Sequence, residues 1–530
     1  MESPQPAIDP VRLEVFRHLF TALAEEMGAA LRRASHSPNI KERRDYSCAI
    51  FDGSGRVVAM GDHMPVHLGA MPMSVAAALE VIGPPGPGDI IALNDPFAGG
   101  THLPDITLMS AVFGAGGDPL AYLATRAHHA DVGGMSPGSM PLAREIYQEG
   151  LRIPPVLLYR NGVRNEDVWR IVRANVRTPD EREGDLAAQC AALSVGERRL
   201  NELLRRRGER AVRQAMEALL EYADRLVRAG LRRIPDGDYS AEDVLDDDGF
   251  GNGPLRIHVR LSVRDDAILV DFAGTADRTV GGVNAVRSIT TSAVRYAVRC
   301  VIEAVLGQPL PAGGGEMGAL RLELPEDSLV NARPPASVAA GNVETSQRIT
   351  DVVLTAFGVA LPELIPAQSQ GTMNNLTAGG IDPRNRRPFA YYETMAGGQG
   401  GGPTGAGLSA VHVHMSNSMN TPVEALEHAY PLRVRRYEIR RDSGGRGAHA
   451  GGDGVRRDIE LLTDAEVNLL TERRIHAPRG AAGGCDGQPG QNVLIRDGTE
   501  QLLPSKTTLL LHAGDIISLR SPGGGGYGPV

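Results

Sequence analysis

The hydrophobic positions change period several times along the chain. Behind Asp9-Pro10, an N-cap followed by a proline at the first helical position, Val11, Phe16, Phe20, Leu23, Met27 and Leu31 recur at helical spacing. The pattern predicts a helix that ends between Ser35 and Pro38. A period of two follows. Tyr46 to Phe51 and Arg56 to Met60 flank Asp52-Gly-Ser-Gly and read as a hairpin. Met71 to Ile82 is again helical, PPGPGD breaks it, and Ile90 to Leu93 is a short buried strand. Ile106 to Met109 and Ala121 to Thr125 read as neighbouring strands of one sheet. Thr178-Pro179 opens a long helical region reaching about Leu231, striped by Leu193, Leu200, Val212, Met216 and Leu219.

At Gly237 the period returns to two. LRIHVRLSV and AILVDFAG alternate around Arg264-Asp265-Asp266, and a new domain is expected to begin there. Val283 to Leu306 is a buried helix. Ile349 to Ala360 is another, set between two polar, glycine-bearing loops, Ala339 to Gln347 and Gln368 to Gly380. Short strands and turns fill the rest. The expected fold class is α+β: multi-domain, with mixed sheets, packed helices and long glycine-rich loops, divided into residues 1–235 and 236–530.

Composition narrows the function. A net charge of −9 argues against nucleic acid and against anionic membranes. No apolar run is long enough to span a bilayer, and MESPQPAIDP is not a signal peptide, so the expectation is a cytoplasmic protein. Cys48, Cys190, Cys300 and Cys485 form no CxxC pair and read as reduced thiols. Lysine occurs only at Lys41 and Lys506, neither in a GxxxxGK[ST] loop, so any use of ATP is assigned to another polypeptide. The 64 glycines cluster, most densely from Tyr391 to Gly454. Such a run suits flexible loops or close backbone approach, and equally a substrate lid or an anion nest.

The candidate chemistry concentrates between Asn94 and Gly134. THLPD places His102 and Asp105 three apart in a turn, and AHHADVGG adds His128, His129 and Asp131 one hairpin later. Neutral imidazole with carboxylate suits a divalent metal, Zn, Mn or Fe. The alternative is a hydrogen-bonded His–Asp pair that only positions the loop. Asp45 follows Arg43 and Arg44, and by pattern alone is an arginine salt bridge or turn cap. His63 and His67 bracket Pro65 and read as structural histidines. Glu145 and Glu149 lie four apart on a short predicted helix, and Glu149 is a candidate acid, base or supporting residue. His412 and His414 alternate on a strand-like run, as a metal chelate or as a polar strand face.

Taken together, ERRDYSCAIFD, NDPFAGGTHLPD, AHHADVGG, EIYQEGLRIPP, GNVETSQR, AGGQGGGP, HMSNSMNTPVEALE and YPLRVRRYEIRRDSGGRGAHAGGDG resemble the hydantoinase B/oxoprolinase family over nearly the whole chain. That family includes the beta subunit of ATP-dependent N-methylhydantoinase, the C-terminal part of 5-oxoprolinase, and a subunit of acetone and acetophenone carboxylases. The resemblance implies a partner, a hydantoinase A-type ATPase subunit that phosphorylates the small-molecule substrate, in a hetero-oligomer such as A2B2. It implies a divalent metal held by Asp45, His102, Asp105 and His128, favouring His128 over His129 and reversing the salt-bridge reading of Asp45. Asp131 or Glu149 would then relay protons. The expected activity is ATP-dependent hydrolysis of a cyclic amide such as a hydantoin, 5-oxoproline or a lactam. Carboxylation of a ketone at the same site is the alternative, and a non-catalytic scaffold with a structural metal is a third.

Overall fold

The structure is a computed structural model of the chain and describes residues 8–61, 63–311 and 318–530. Helix α1 (Pro10–Ala34) starts as the sequence predicts, with the Asp9 carboxylate accepting from the Arg12 amide. It is followed by the single turn α2 (Pro38–Lys41), capped by Ser37. Strands β1 (Tyr46–Asp52) and β2 (Val57–Met60) form the predicted hairpin. Helix α3 (Ala70–Val81) leads to β3 (Ile90–Leu93), and then to β4 (Asp105–Phe113) and β5 (Pro119–His128), which pair antiparallel along their length. With β6 (Val156–Arg160) and β7 (Val163–Arg164) they make one antiparallel sheet, ordered β2-β1-β5-β4-β3-β6-β7.

After α4 (Glu166–Asn175), the predicted long helical region is two helices, α5 (Pro179–Arg207) and α6 (Glu209–Leu231), divided at Gly208. Gly208 sits at φ +81°, a conformation that glycine reaches without steric cost, and its amide closes α5 onto Leu204. Period two decides what each face of the seven-stranded sheet meets. Tyr122 and Ala124 of β5 pack with Met71 and Val75 of α3. Leu123 and Ala127 point the other way, into a core with Met27 of α1 and Leu186 of α5.

A second sheet holds β8 (Gly237–Leu245), β9 (Leu255–Arg264), β10 (Ala267–Asp271) and β11 (Leu320–Glu323), with β10 and β11 parallel. It is covered by α8 (Ser346–Ala360), against which α7 (Arg287–Leu306) packs. Gly237 begins a new sheet but not a new core, because Leu231, Ile257, Ile302 and Val353 belong to the same apolar cluster as Phe20. A separate apolar cluster lies further on. It is built on β12 (Asn375–Asp382), β13 (Arg387–Glu393), α9 (Val423–Ala429), β14 (Leu432–Arg440), β15 (Gly454–Leu461), β16 (Ala465–Leu470), β17 (Gln491–Arg496), β18 (Thr499–Leu503), β19 (Lys506–Leu511) and β20 (Ile516–Arg520).

Two segments expected to be polar loops are regular structure. Gly341–Thr345 is a π-helical turn, wholly buried, that runs straight into α8. A Cβ at Gly341 would lie 1.9 Å from the Asn284 carbonyl oxygen, so only glycine allows this approach. Asn375 to Gly380 is strand. The glycine-rich runs realise the close-approach reading. Residues 397–401, 444–452 and 480–487 lie beside 522–526 and hydrogen-bond to them backbone to backbone. Gly398 donates to Pro522, Gly401 to Gly525, Gly445 to Gly524, Gly524 to Gly452 and Gly526 to Cys485, all at 2.8–3.0 Å.

Candidate functional site

Asp105 opens β4 and His128 closes β5, and the two are directly cross-strand partners. Both therefore project from the α3 side of the sheet, above the next pair on that face, Thr107 and Arg126. Period two sends His129 to the opposite face, where its Nε2 meets Gln189 of α5 at 2.9 Å. Burial pushes the His129 imidazole down to about 4. His102 joins from the preceding turn, closed by the Asp105 amide on the His102 carbonyl.

The three side chains converge. His102 Nε2 lies 3.4 Å from Asp105 Oδ2 and 3.2 Å from His128 Nδ1, and His128 Nδ1 lies 3.4 Å from Asp105 Oδ1. All are nearly inaccessible to solvent. Four tetrahedral ligands at about 2.0–2.1 Å from one ion would be about 3.3–3.4 Å apart, so this triangle has the dimensions of a metal site. Its protonation also fits. His102 Nδ1 faces the Ala339 carbonyl at 3.3 Å, which fixes the tautomer and leaves the Nε2 lone pair facing the cluster. His128 turns Nδ1 towards the cluster, and its Nε2 is buried without a hydrogen-bond partner. Burial raises the Asp105 carboxyl, but His102, His128 and His67 outweigh it and hold the group well below the usual carboxylate range, ready to ligate. Burial holds His128 down as well, so it is neutral and able to ligate.

Asp45 is adjacent but outside the tight triangle. Its carboxylate is buried, 4.0 Å from Arg43, and burial raises it against the opposing pull of His128 and Arg43. Its backbone carbonyl accepts from the His128 amide at 3.0 Å, which ties the start of β1 to the end of β5. His412 and His414 are not part of the cluster and are not on a strand. His414 sits in a turn at φ +54°.

The proton-relay candidates separate. Asp131 is committed to structure: Arg177 donates to it from Nη1 at 2.9 Å and from its backbone amide at 2.8 Å, and the Gly133 amide adds a third bond. Glu145 and Glu149 do not share a helix face. They flank the single turn Ile146–Gln148, Glu145 exposed and Glu149 buried. Glu149 Oε1 accepts from Ser337 Oγ, from the Val338 amide at 2.7 Å and from the Ala339 amide at 3.0 Å, while Oε2 has no partner. Burial pushes its carboxyl up to about 7 against those three bonds.

Sequence reasoning missed the rest of the shell. His67, read as structural, places Nε2 3.4 Å from Asp105 Oδ2 and Nδ1 2.8 Å from Ser47 Oγ. Asn342, from the π-helical turn, reaches His102 Nε2 at 3.0 Å. Tyr392 of β13 stacks on His128, with ring centroids 4.2 Å apart and planes 11° from parallel. Arg43 fastens this lid: its guanidinium lies 4.8 Å from the Tyr392 ring centre and donates to the Tyr392 carbonyl and to Thr394. The signals available were the GNVETSQR and RRDYS motifs, but neither shows which residue turns inward.

Comparison with known proteins covers the same span. The model of the hydantoinase B/oxoprolinase family matches residues 9–530. An uncharacterised protein of Methanocaldococcus jannaschii is 38% identical over 526 residues, which cover 98% of this chain and 91% of that protein. 5-Oxoprolinase 1 of Arabidopsis thaliana is 38% identical over 98% of this chain, but the match covers only 42% of that longer protein. Among solved structures, the ATP-dependent caprolactamase of Pseudomonas jessenii superposes with a TM-score of 0.90 at 32% identity, covering 98% of this chain and 91% of that one. The chain belongs to the hydantoinase B/oxoprolinase family.

Proposed function

We propose that this chain is the metal-bearing B-type subunit of an ATP-dependent cyclic-amide hydrolase, and that it acts on substrate phosphorylated by a hydantoinase A-type partner. The observation that carries this reading is the buried His102–Asp105–His128 triangle, in a chain similar along its length to a caprolactamase. The match to 42% of an oxoprolinase is consistent with an activation step housed outside these residues.

A ring amide is a poor electrophile, and phosphorylating its oxygen makes the carbon attackable. A divalent metal, Zn, Mn or Fe, would be held by His102, Asp105 and His128, with Asp45 beside them as the further ligand, and would supply Lewis acidity that lowers the pKa of water from 15.7 to about 7. The chain's own residues prepare that chemistry. Ala339 sets the His102 tautomer, Thr101 and His67 hold the Asp105 carboxylate, and Tyr392 covers His128 against bulk solvent. Desolvation strengthens every electrostatic contact within this shell.

Co-expression with the A-type subunit tests the proposal. The complex should contain stoichiometric metal by mass spectrometry and couple ATP hydrolysis to ring opening of a hydantoin, a lactam or 5-oxoproline. His102→Ala should lose the metal and at least about 10³-fold in coupled turnover, roughly 4 kcal/mol. Full activity in that variant sinks metal catalysis. ATP turnover that requires bicarbonate and a ketone sinks the hydrolase.

A further inference from the structure

One short segment, residues 339–342, holds the His102 imidazole from both sides. The Ala339 carbonyl faces Nδ1 at 3.3 Å, and the Asn342 amide nitrogen lies 3.0 Å from Nε2. With its proton on Nδ1, the ring offers Nε2 only as an acceptor, so Asn342 Nδ2 is the donor in the second contact. The two contacts act in opposite senses on a metal ion. Ala339 leaves the Nε2 lone pair available for a ligand bond. Asn342 takes that same lone pair, and a lone pair engaged by an N–H cannot also bind a cation.

Asn342 has no other use for its side chain. It is 4% exposed, and among the described residues Nδ2 has no second partner. Its Oδ1 is buried with no hydrogen-bond partner at all. A structural asparagine of this chain looks different: Asn94 Nδ2 donates to the carbonyls of Leu103 and Leu151, and its Oδ1 accepts from the Ile153 amide. A buried polar atom left unsatisfied in this way calls for an explanation at the site it faces. The backbone beneath Asn342 is fixed. Ser346 Oγ donates to the Asn342 carbonyl at 2.6 Å, and the Gly341 amide donates to the Gly282 carbonyl at 3.0 Å. The winding is π-helical, a form found frequently at functional sites. The amide can therefore leave Nε2 by side-chain rotation alone.

We propose that Asn342 is a removable plug on the ligand nitrogen of His102. Its donor satisfies Nε2 when the centre carries no ion, and an entering divalent ion displaces it. The proposal rests on the metal-centre reading above and on nothing about the substrate. Loading then exchanges a buried hydrogen bond for a ligand bond, and the amide loses its one partner. The plug holds metal affinity below what His102, Asp105 and His128 alone would give.

Asn342→Leu, close to isosteric, and Asn342→Ala test it in the full chain, with Zn2+ and Mn2+ each titrated against a chromophoric chelator. Both variants should bind the ion about tenfold more tightly than the native chain, or about 1.4 kcal/mol. In denaturant unfolding with chelator present they should be less stable by the same amount, because Nε2 has lost its donor. Saturating metal should close that gap. Weaker metal binding by the variants makes Asn342 a ligand or a support of the ion, and overturns the proposal. Unchanged affinity overturns it too, as does a loss of stability, or a failure to fold, that is the same with and without metal, since the contact is then purely structural. A native chain that binds neither ion removes the metal centre and the plug together. A native chain that binds, with variants that do not respond as expected, removes the plug alone.

Discussion

At the scale of single residues, two buried carboxylic acids are set apart by what they touch. Glu149 gives one oxygen to three donors on residues 337–339, and that segment supplies the carbonyl facing His102 Nδ1. These bonds tie it to the peptide that faces His102. Glu149→Ala should therefore weaken metal binding about 10–100-fold, measured by competition with a chromophoric chelator. Glu149→Gln keeps the accepting oxygen and should bind metal nearly as well as the native chain. Metal-replete Glu149→Gln protein without turnover would instead make Glu149 an acid or base. Glu344, in the π-helical turn, accepts from the Met373 amide and from Asn375, and burial raises its carboxyl to about 8. A folded value above the unfolded one favours the folded state below the unfolded value of about 4.5, and that stability is lost as pH rises through about 8. Glu344→Gln should accordingly match the native chain in denaturant unfolding near pH 5. By pH 9 it should exceed it by a few kcal/mol. Equal losses in both proteins would show that Glu344 is already ionised.

At the scale of elements, legibility followed periodicity. The α1 stripe, the two hairpins and the pairing of β4 with β5 were readable because one face of each is buried and the other is not. The preference for His128 over His129 came from the family resemblance, and the pleat of β5 supplies its physical reason. The π-helical turn was unreadable for the opposite reason. Gly-Asn-Val-Glu-Thr carries the polar, glycine-bearing signature of a loop, yet all five residues are buried, and Asn342 turns to a site that no local pattern announces. Tyr392 likewise reaches His128 from 264 positions away in the numbering, through β13 pairing that spacing cannot encode. Glycine density was equally ambiguous, and the structure resolves it position by position. A Cβ at Gly524 would lie 2.1 Å from the Gln399 carbonyl oxygen, whereas Gly405 has nothing within 4 Å. Gly524→Ala should lower stability by at least about 2 kcal/mol in thermal unfolding. Gly405→Ala, at an ordinary φ, should leave it unchanged or raise it slightly. Similar behaviour of the two variants would argue that the segments are loosely packed.

At the scale of the whole molecule, the candidate centre belongs to no single part. The seven-stranded sheet contributes Asp105 and His128, the turn before α8 contributes Asn342, and the distant β12–β13 hairpin contributes Tyr392. One apolar cluster holds residues from both sides of residue 236, so the elements that carry the centre share one packed framework. Among the described residues, no helix is long and apolar enough to cross a membrane.

The glycine bundle has a consequence for how the chain is made. Residues 522–526 bond to the segments around residues 398, 401, 445, 452 and 485, so those earlier segments have no central neighbour until residues 522–526 leave the ribosome. At about 5–20 residues per second, the interval from residue 400 to residue 526 lasts on the order of ten seconds. Throughout it, the glycine backbone groups that residues 522–526 will pair stay open, with little side-chain bulk to shield them. Residues 522–526 are the clasp for those earlier segments, and the time before it closes is when nascent chains are most open to mispairing with one another.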